Sequence, residues 1–313
     1  MPGAPPARYG YFGPAGTFTH QALLSVTADE ARPYPTVAAA LDAVREQEVE
    51  AALVPIENSV EGGVSATLDN LADGDRLMIV REVLLPVQFG LYVRPGTELG
   101  QVRRILTHPH AFAQTRDWVA ANAPQAQVTE GGSTAAAAAE VADPNSRYDA
   151  AICAAVAGQM YGLEAAASGI ADNEQAVTRF VLVAPQGPPT ERTGADKTTL
   201  VAYMREDHPG SLQEILDQFV VRGVNLCRIE SRPTKTTLGQ YCFSIDAEGH
   251  VLDARMAEAL LGLHRVCKKV VFLGSYARAD RVKPRVPAGQ KDEDYTEAQE
   301  WLATLRATGR DDA

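Results

Sequence analysis

Short apolar runs alternate with helical patterns along the first 185 residues, and this alternation limits the fold more than any other feature of the chain. The runs fall at 8–13, 51–56, 77–83, 87–93, 104–107, 126–129, 150–153 and 180–183. Residues that cap helices stand between them. Thr36 precedes an apolar stripe at Val37, Leu41 and Val44, Ser65 precedes Leu68 and Leu71, and Ser133 or Thr134 precedes an alanine-rich stretch. Such alternation specifies an α/β fold in which several strands run directly into helix N-termini.

The pattern stops at QGPPTERTGAD (186–196), a Pro/Gly/Thr-rich stretch without a period, which reads as a linker. From Thr198 the order is strand (TTLVAYM), helix (SLQEILDQFVVRG), strand (NLCRIES), strand (GQYCFSID), helix (LDARMAEALLGLHRV) and strand (KKVVFLGS). This βαββαβ order is the ferredoxin-like unit. The chain therefore divides into a first domain over 1–186, a linker over 187–197, a second domain over 198–276 and a charged, loose tail over 277–313. Within the tail, Ala298, Trp301, Leu302 and Leu305 have the spacing of one short docking helix.

Charge narrows the partners. Forty acidic against 29 basic residues leave a net charge of -11, which argues against nucleic acid and anionic membranes, both held mainly through Lys and Arg. The four cysteines, at 153, 227, 242 and 267, lack CxxC spacing and sit inside apolar runs, so they read as reduced, packed thiols. That fits a cytoplasmic protein. The N-terminus MPGAPPARYG has no apolar signal core, and no apolar stretch is long enough to span a bilayer. No metal-ligand spacing or dinucleotide motif is present.

Five polar clusters stand where strands of the first domain end: YFGPAGTFTH, PIENSVEGG, THPHAFAQ, GGST and VTRF. Ligands of open α/β sheets bind beyond the carboxyl ends of strands, where helix N-termini offer free N–H groups. Each cluster also has a plainer explanation. GPAGT serves equally as a turn with Thr17 as a cap, Ser133 and Thr134 suit caps better than ligands, and His110 suits a surface or capping position. For Arg179 an ion pair within the domain competes with a ligand contact. The run Glu57, Asn58, Ser59 resists such readings, because a carboxylate, an amide and a hydroxyl in succession are costly to bury unpaired.

Taken together, GPAGTFTHQAL, PIENSVEGGVSATLDNL, THPHAFAQTRDWV, STAAAA and DNEQAVTRFVLV resemble the catalytic domain of the prephenate dehydratase family. HPGSLQEIL followed by NLCRIESRP resembles the ACT regulatory domain that such enzymes carry after it. The resemblance implies a catalytic domain of two lobes, like a type II periplasmic binding protein, with the active site between them. The first lobe takes about 8–85 plus 176–186 and the second about 87–172. It further implies cofactor-free conversion of prephenate to phenylpyruvate, with Thr178 essential and Glu57, Asn58 and Ser59 catalytic. Gly16, Thr17, His110, Ser133, Thr134, Arg179 and Phe180 are the implied substrate contacts. Two positions depart from the family pattern: His110 where many relatives have glutamine, and Ala176 where many have asparagine.

For the second domain the resemblance implies feedback by L-phenylalanine, bound between ACT domains of a homo-dimer or homo-tetramer. His208, Pro209, Gly210, Ser211 and Leu212 form one side of that pocket, and Asn225, Leu226, Glu230, Ser231, Arg232 and Pro233 complete it. Two alternatives stay open from sequence: an arogenate dehydratase, and a non-catalytic ACT-linked sensor of small molecules.

Overall fold

The computed structural model describes residues 8–60, 62–74, 76–234 and 240–309. Contacts divide the chain into two units, Met1–Thr67 with Val83–Val183, and Leu68–Glu82 with Ala184–Ala313. Up to Pro185 the strands are β1 (Tyr9–Phe12), β2 (Ala31–Tyr34), β3 (Ala51–Asn58), β4 (Gly62–Gly63), β5 (Leu77–Pro86), β6 (Gly90–Val93), β7 (Arg104–Thr107), β8 (Gln127–Glu130), β9 (Ala150–Cys153), β10 (Glu164–Ser168) and β11 (Val177–Pro185). The helices between them are α1 (Phe18–Leu24), α2 (Val37–Arg45), α3 (Ser65–Ala72), α4 (Pro109–Ala113), α5 (Arg116–Asn122), α6 (Thr134–Ala142) and α7 (Ala155–Met160).

These strands make two sheets. One has the order β2-β1-β3-β11-β5, with β4 attached to β3, and the other has the order β10-β6-β9-β7-β8. Parallel and antiparallel pairings mix in both: β1 is parallel to β2 and β3, whereas β11 is antiparallel to β3. In the second sheet β7 is parallel to β8 and β9, while β6 is antiparallel to β9 and β10. The central strands β3 and β9 read as unbroken apolar runs because they are covered on both faces.

Helix placement follows from the caps. Thr36 Oγ1 accepts from Ala39 N at 3.0 Å, and Val37, Ala40, Leu41 and Val44 then form a buried stripe on α2. On α6 the buried face is almost all alanine, which lets the helix lie close against Tyr92, Leu106, Ala151 and Cys153. The sequence reading lacks β2 and β10. Both are edge strands, and β2 buries only Tyr34 while β10 buries none of its residues fully, so neither carries an apolar signature.

After Pro185 come β12 (Asp196–Tyr203), α8 (Ser211–Val220), β13 (Leu226–Pro233), β14 (Tyr241–Glu248), α9 (Ala254–Val266), β15 (Lys269–Ala277) and α10 (Asp292–Thr308). The four-stranded sheet has the order β13-β14-β12-β15, every neighbour antiparallel. Leu200, Ala202 and Ile245 of this sheet pack against Ile215 and Phe219 of α8 and Met256, Ala259 and Leu263 of α9. Polar groups are buried in the same unit, and they are paired. Arg228 Nε donates to Asp246 Oδ2 at 2.9 Å, Thr199 Oγ1 donates to Asp246 Oδ1 at 2.7 Å, and Lys197 Nζ lies 2.7 Å from Glu82 Oε2. Unpaired, any of these groups would cost several kcal/mol of desolvation, on the order of 3–5 kcal/mol for a broken buried ion pair.

The tail differs from expectation. Helix α10 is longer than a short docking element and is held at its N-terminus, where Asp292 accepts from Arg192 Nη2 at 2.6 Å and from Ala254 N at 2.9 Å. Trp301 and Leu302 are largely exposed, while Leu305 is half-buried. Cys153, Cys242 and Cys267 are buried as expected, but Cys227 is exposed. Burial pushes the Cys153 thiol up to about 12, which leaves it protonated and unreactive. Among the described residues no helix is long and apolar enough to cross a membrane.

Gly274 in β15 supplies a test of this packing. Its φ is +121°, and a Cβ there would stand 2.3 Å from the Ile79 carbonyl oxygen. Gly274→Ala is therefore expected to destabilise the second unit by about 2 kcal/mol or more, seen as a lower thermal midpoint. An unchanged midpoint would contradict the close approach.

Candidate active site

The pairing of β3 with β11 sets Asn58 opposite Thr178 and Glu57 opposite Arg179, with a register shift just beyond, between Arg179 and Phe180. Asn58 Nδ2 donates to Thr178 Oγ1 at 2.8 Å, and Asn58 Oδ1 accepts from Val60 N at 2.8 Å. Because a backbone N–H can only donate, Val60 fixes which end of the amide faces Thr178. The Thr178 oxygen thus accepts a hydrogen bond from Asn58 and keeps its own hydrogen to donate elsewhere.

Adjacent side chains on a strand point to opposite faces. The Glu57–Arg179 pair, at 3.3 Å between Oε2 and Nη1, therefore lies on the other side of the ladder from Asn58–Thr178. Arg179 is 5% exposed and Glu57 about a third exposed, so the pair braces the ladder from a half-wet position. Ser59 makes a third brace, accepting from Val177 N at 2.9 Å while its own N–H donates to Val177 O. The three consecutive polar residues therefore take three separate roles and do not converge on one point.

Phe180 is 2% exposed and lies in the core, on a strand buried along both faces, so in this structure it offers little surface to a ligand. Thr17 and Ser133 are helix caps: Thr17 Oγ1 accepts from His20 N at 3.3 Å and donates to Pro14 O at 2.9 Å, and Ser133 Oγ accepts from Ala136 N at 3.0 Å. Thr134 is the first residue of α6. His110 sits exposed in the first turn of α4, its ring edge-on to His108 at 5.0 Å, on the second sheet's side of the unit. Gly16 is brought against α6 and α7, its ideal Cβ lying 3.4 Å from Ala135 Cβ and 3.2 Å from Ala157 Cβ.

One residue of this region has no place in the sequence reading. His20 Nδ1 accepts from Gly16 N at 3.1 Å, and its ring stacks on Tyr11 with centroids 4.8 Å apart and planes 8° from parallel. Burial lowers its pKa from 6.5. The clue lies in GPAGTFTH, where His20 follows Gly16 by one helical turn. The Gly16 N–H is consequently occupied, and what Gly16 contributes is the turn itself, at a φ of +86°.

In the second unit a cleft of about 380 Å³ gathers His208, Gly210, Ser211, Leu212 and Ser231, together with Met204, Asp207, Tyr241 and Phe243. Ser211 Oγ ties this turn by accepting from His208 N at 2.8 Å. Pro209 lies in the same turn, between His208 and Gly210. The run Glu230–Pro233 does not enter the cleft as a whole, since period-two alternation separates Ser231 from its neighbours. Arg232 instead grips Asp69, with Nη2 at 2.9 Å and Nε at 3.1 Å, and lies 3.5 Å from Glu230. Leu226 packs against the core, and Asn225 O accepts from Glu248 N at 2.8 Å. Among the described residues no three His, Cys, Asp or Glu side chains are grouped to hold a metal ion.

A mixed α/β first unit with a hydroxyl and an amide paired at a strand end, followed by a four-stranded α/β unit with its own cleft, fits a small-molecule enzyme. The prephenate dehydratase family model matches residues 9–188. A prephenate dehydratase of Amycolatopsis methanolica is 47% identical over 305 residues, 96% of this chain and 98% of that protein. Among solved structures, prephenate dehydratase from Arthrobacter aurescens in complex with L-Phe is 51% identical, with a TM-score of 0.91, covering 96% of this chain and 99% of that one. A protein described as GqqA, a novel type of quorum quenching acylase, is 28% identical, with a TM-score of 0.80, over 88% of this chain and 99% of its own. The chain belongs to the prephenate dehydratase family.

The Ser59 brace can be measured separately from catalysis. Ser59→Ala removes the side-chain acceptor of Val177 N and is expected to cost about 1 kcal/mol, read as a lower urea midpoint. No change would mean that the contact is idle.

Proposed function

We propose that this protein is a prephenate dehydratase, which converts prephenate to phenylpyruvate in phenylalanine biosynthesis. The observation that carries the reading is the 2.8 Å bond from Asn58 Nδ2 to Thr178 Oγ1, with the amide orientation fixed by Val60 N. Prephenate bears a ring carboxylate at one corner and a hydroxyl at the opposite one. The bond to the carboxylate carbon breaks and releases CO2, its electron pair moves through the ring, and the C–O bond to the hydroxyl breaks. The departing oxygen takes a proton and leaves as water.

Aromatisation drives this reaction, so the protein has to bind two anionic groups, exclude water and assist one leaving oxygen. Thr178 assists the leaving oxygen in this reading: Asn58 orients the hydroxyl by donating to its oxygen, which leaves the hydroxyl hydrogen for the substrate. A threonine hydroxyl is too weak an acid to be the proton's source, so it orients or relays the proton. Glu57 fixes Arg179 on the opposite side of the ladder. Thr134 and Ser133, at the start of α6, are candidate contacts for the substrate's carboxylates, with Thr17 the weaker candidate because its hydroxyl already donates to Pro14 O.

The two sheets of the first unit support a catalytic domain of two lobes, of the type II periplasmic-binding kind, with lobe boundaries near 8–85 plus 176–186 and 87–172. The strand order of the C-terminal sheet supports a ferredoxin-like ACT domain. The L-Phe complex of the Arthrobacter protein supports feedback by phenylalanine, received at the turn His208–Leu212 and at Ser231. Pairing of ACT domains makes a homo-dimer or homo-tetramer, in the cytoplasm.

Thr178→Val is expected to reduce kcat by about 10²–10⁴-fold while prephenate binding, followed by calorimetry, changes little. Asn58→Asp should do similar damage, because the carboxylate it introduces captures the Thr178 hydrogen. Near-normal turnover in either variant would overturn the assignment. For the ACT domain, millimolar phenylalanine is expected to raise the thermal midpoint, since a ligand that binds only the folded state stabilises it. The absence of any shift would count against phenylalanine as effector.

A further inference from the structure

His20 is half-buried, aromatic and titratable, and the proposed chemistry makes no use of it. It closes a short loop on itself. Its backbone N–H bonds to Thr17 Oγ1 at 3.3 Å, and its ring Nδ1 accepts the Gly16 N–H at 3.1 Å, so both ends of the Gly16–Thr17 step are held by one residue. An amide can only donate, so Nδ1 carries the lone pair and the ring is the neutral tautomer protonated at Nε2. Tyr11 of β1 holds the ring plane by stacking, and Tyr161, at the end of α7, lies close enough to Tyr11 to act on its charge. Burial is what moves the His20 pKa, downward from 6.5.

The turn that His20 holds has no slack. Gly16 is wedged against Ala157 of α7 and against Ala135, which directly follows Thr134 on α6. A rotation of the Gly16 peptide would therefore move the Gly13–Thr17 turn relative to the start of α6. We propose that His20 is a positioning residue for the reaction: its neutral Nδ1 holds the Gly16 amide and so fixes the turn against Ala135, beside Thr134. This rests on the prephenate reading given above.

Protonation supplies the signature. Below its pKa the ring gains a hydrogen at Nδ1, which then opposes the Gly16 N–H and releases the turn. The group is depressed in the folded state, so the contribution is complete above 6.5 and is lost as pH falls through the lower folded value. Substrate binding should therefore weaken on the acid side, with the chemical step itself little changed.

The experiment compares the full-length protein with His20→Phe, which keeps the stack on Tyr11 but has no acceptor, and His20→Asn, whose side-chain oxygen replaces Nδ1 without titrating. Prephenate turnover is followed from about pH 5.5 to 8.5, with spontaneous breakdown subtracted. KM of the unaltered protein is expected to rise toward acid. His20→Phe should raise KM about five- to tenfold at every pH, with kcat within about threefold, and His20→Asn should recover most of that loss and abolish the acid rise. A normal KM in His20→Phe, or an acid rise that survives in His20→Asn, overturns the proposal. Nitrogen-15 NMR of the ring adds a readout without substrate: the Nε2–H tautomer is expected, and a neutral Nδ1–H ring overturns the proposal even if the variants fail to fold. If the unaltered protein does not turn over prephenate, the functional reading fails, while the tautomer still decides whether His20 holds Gly16.

Discussion

The antiparallel pairing of β3 with β11 is the constraint on which the rest depends. It joins positions 120 residues apart, Asn58 and Thr178, and places the amide of one against the hydroxyl of the other at 2.8 Å. Register is unforgiving here. A slip of one residue would exchange the faces, setting Arg179 where Thr178 stands and sending the hydroxyl to the far side. The braces serve that register: Glu57 with Arg179 on the opposite face, Ser59 across to Val177 at the ladder's end, and the hairpin partner β4 on the free side of Glu57 and Asn58. Together they hold one hydroxyl in one orientation.

Much of this was legible in the chain. Apolar runs located the central strands because those are covered on both faces, and Thr36 and Ser133 announced the helices they cap, each by a hydrogen bond of 3.0 Å. The order of elements after Thr198 could be read directly. Edge strands β2 and β10 could not, since an edge with one or no buried residue has no apolar pattern to detect. Strand alternation also divides a motif run. Glu230 to Pro233 reads as one cluster, yet Ser231 and Arg232 face opposite ways, and Arg232 closes on Asp69, far away in sequence.

The burial of Phe180 was not legible either, because its neighbours Thr178 and Arg179 are polar and yet buried as well. His20 was invisible for a different reason: a histidine on the polar side of a short helix has many ordinary uses, and only the bond to Gly16 N singles it out. Within the second unit, the segment Leu68–Glu82 groups with the C-terminal sheet through Glu82 and Ile79, although it follows soon after the strand that bears Asn58. Contacts so distant in sequence leave no local pattern.

The most direct measurement is phenylpyruvate formation by the purified protein from prephenate at slightly alkaline pH, where spontaneous breakdown is slow, with arogenate as the parallel substrate and phenylalanine present or absent. The account predicts turnover of prephenate that falls when phenylalanine is added. A folded protein that leaves prephenate unchanged would contradict it; turnover of arogenate alone would move the chemistry to that substrate, and turnover of neither would make the protein a binding module.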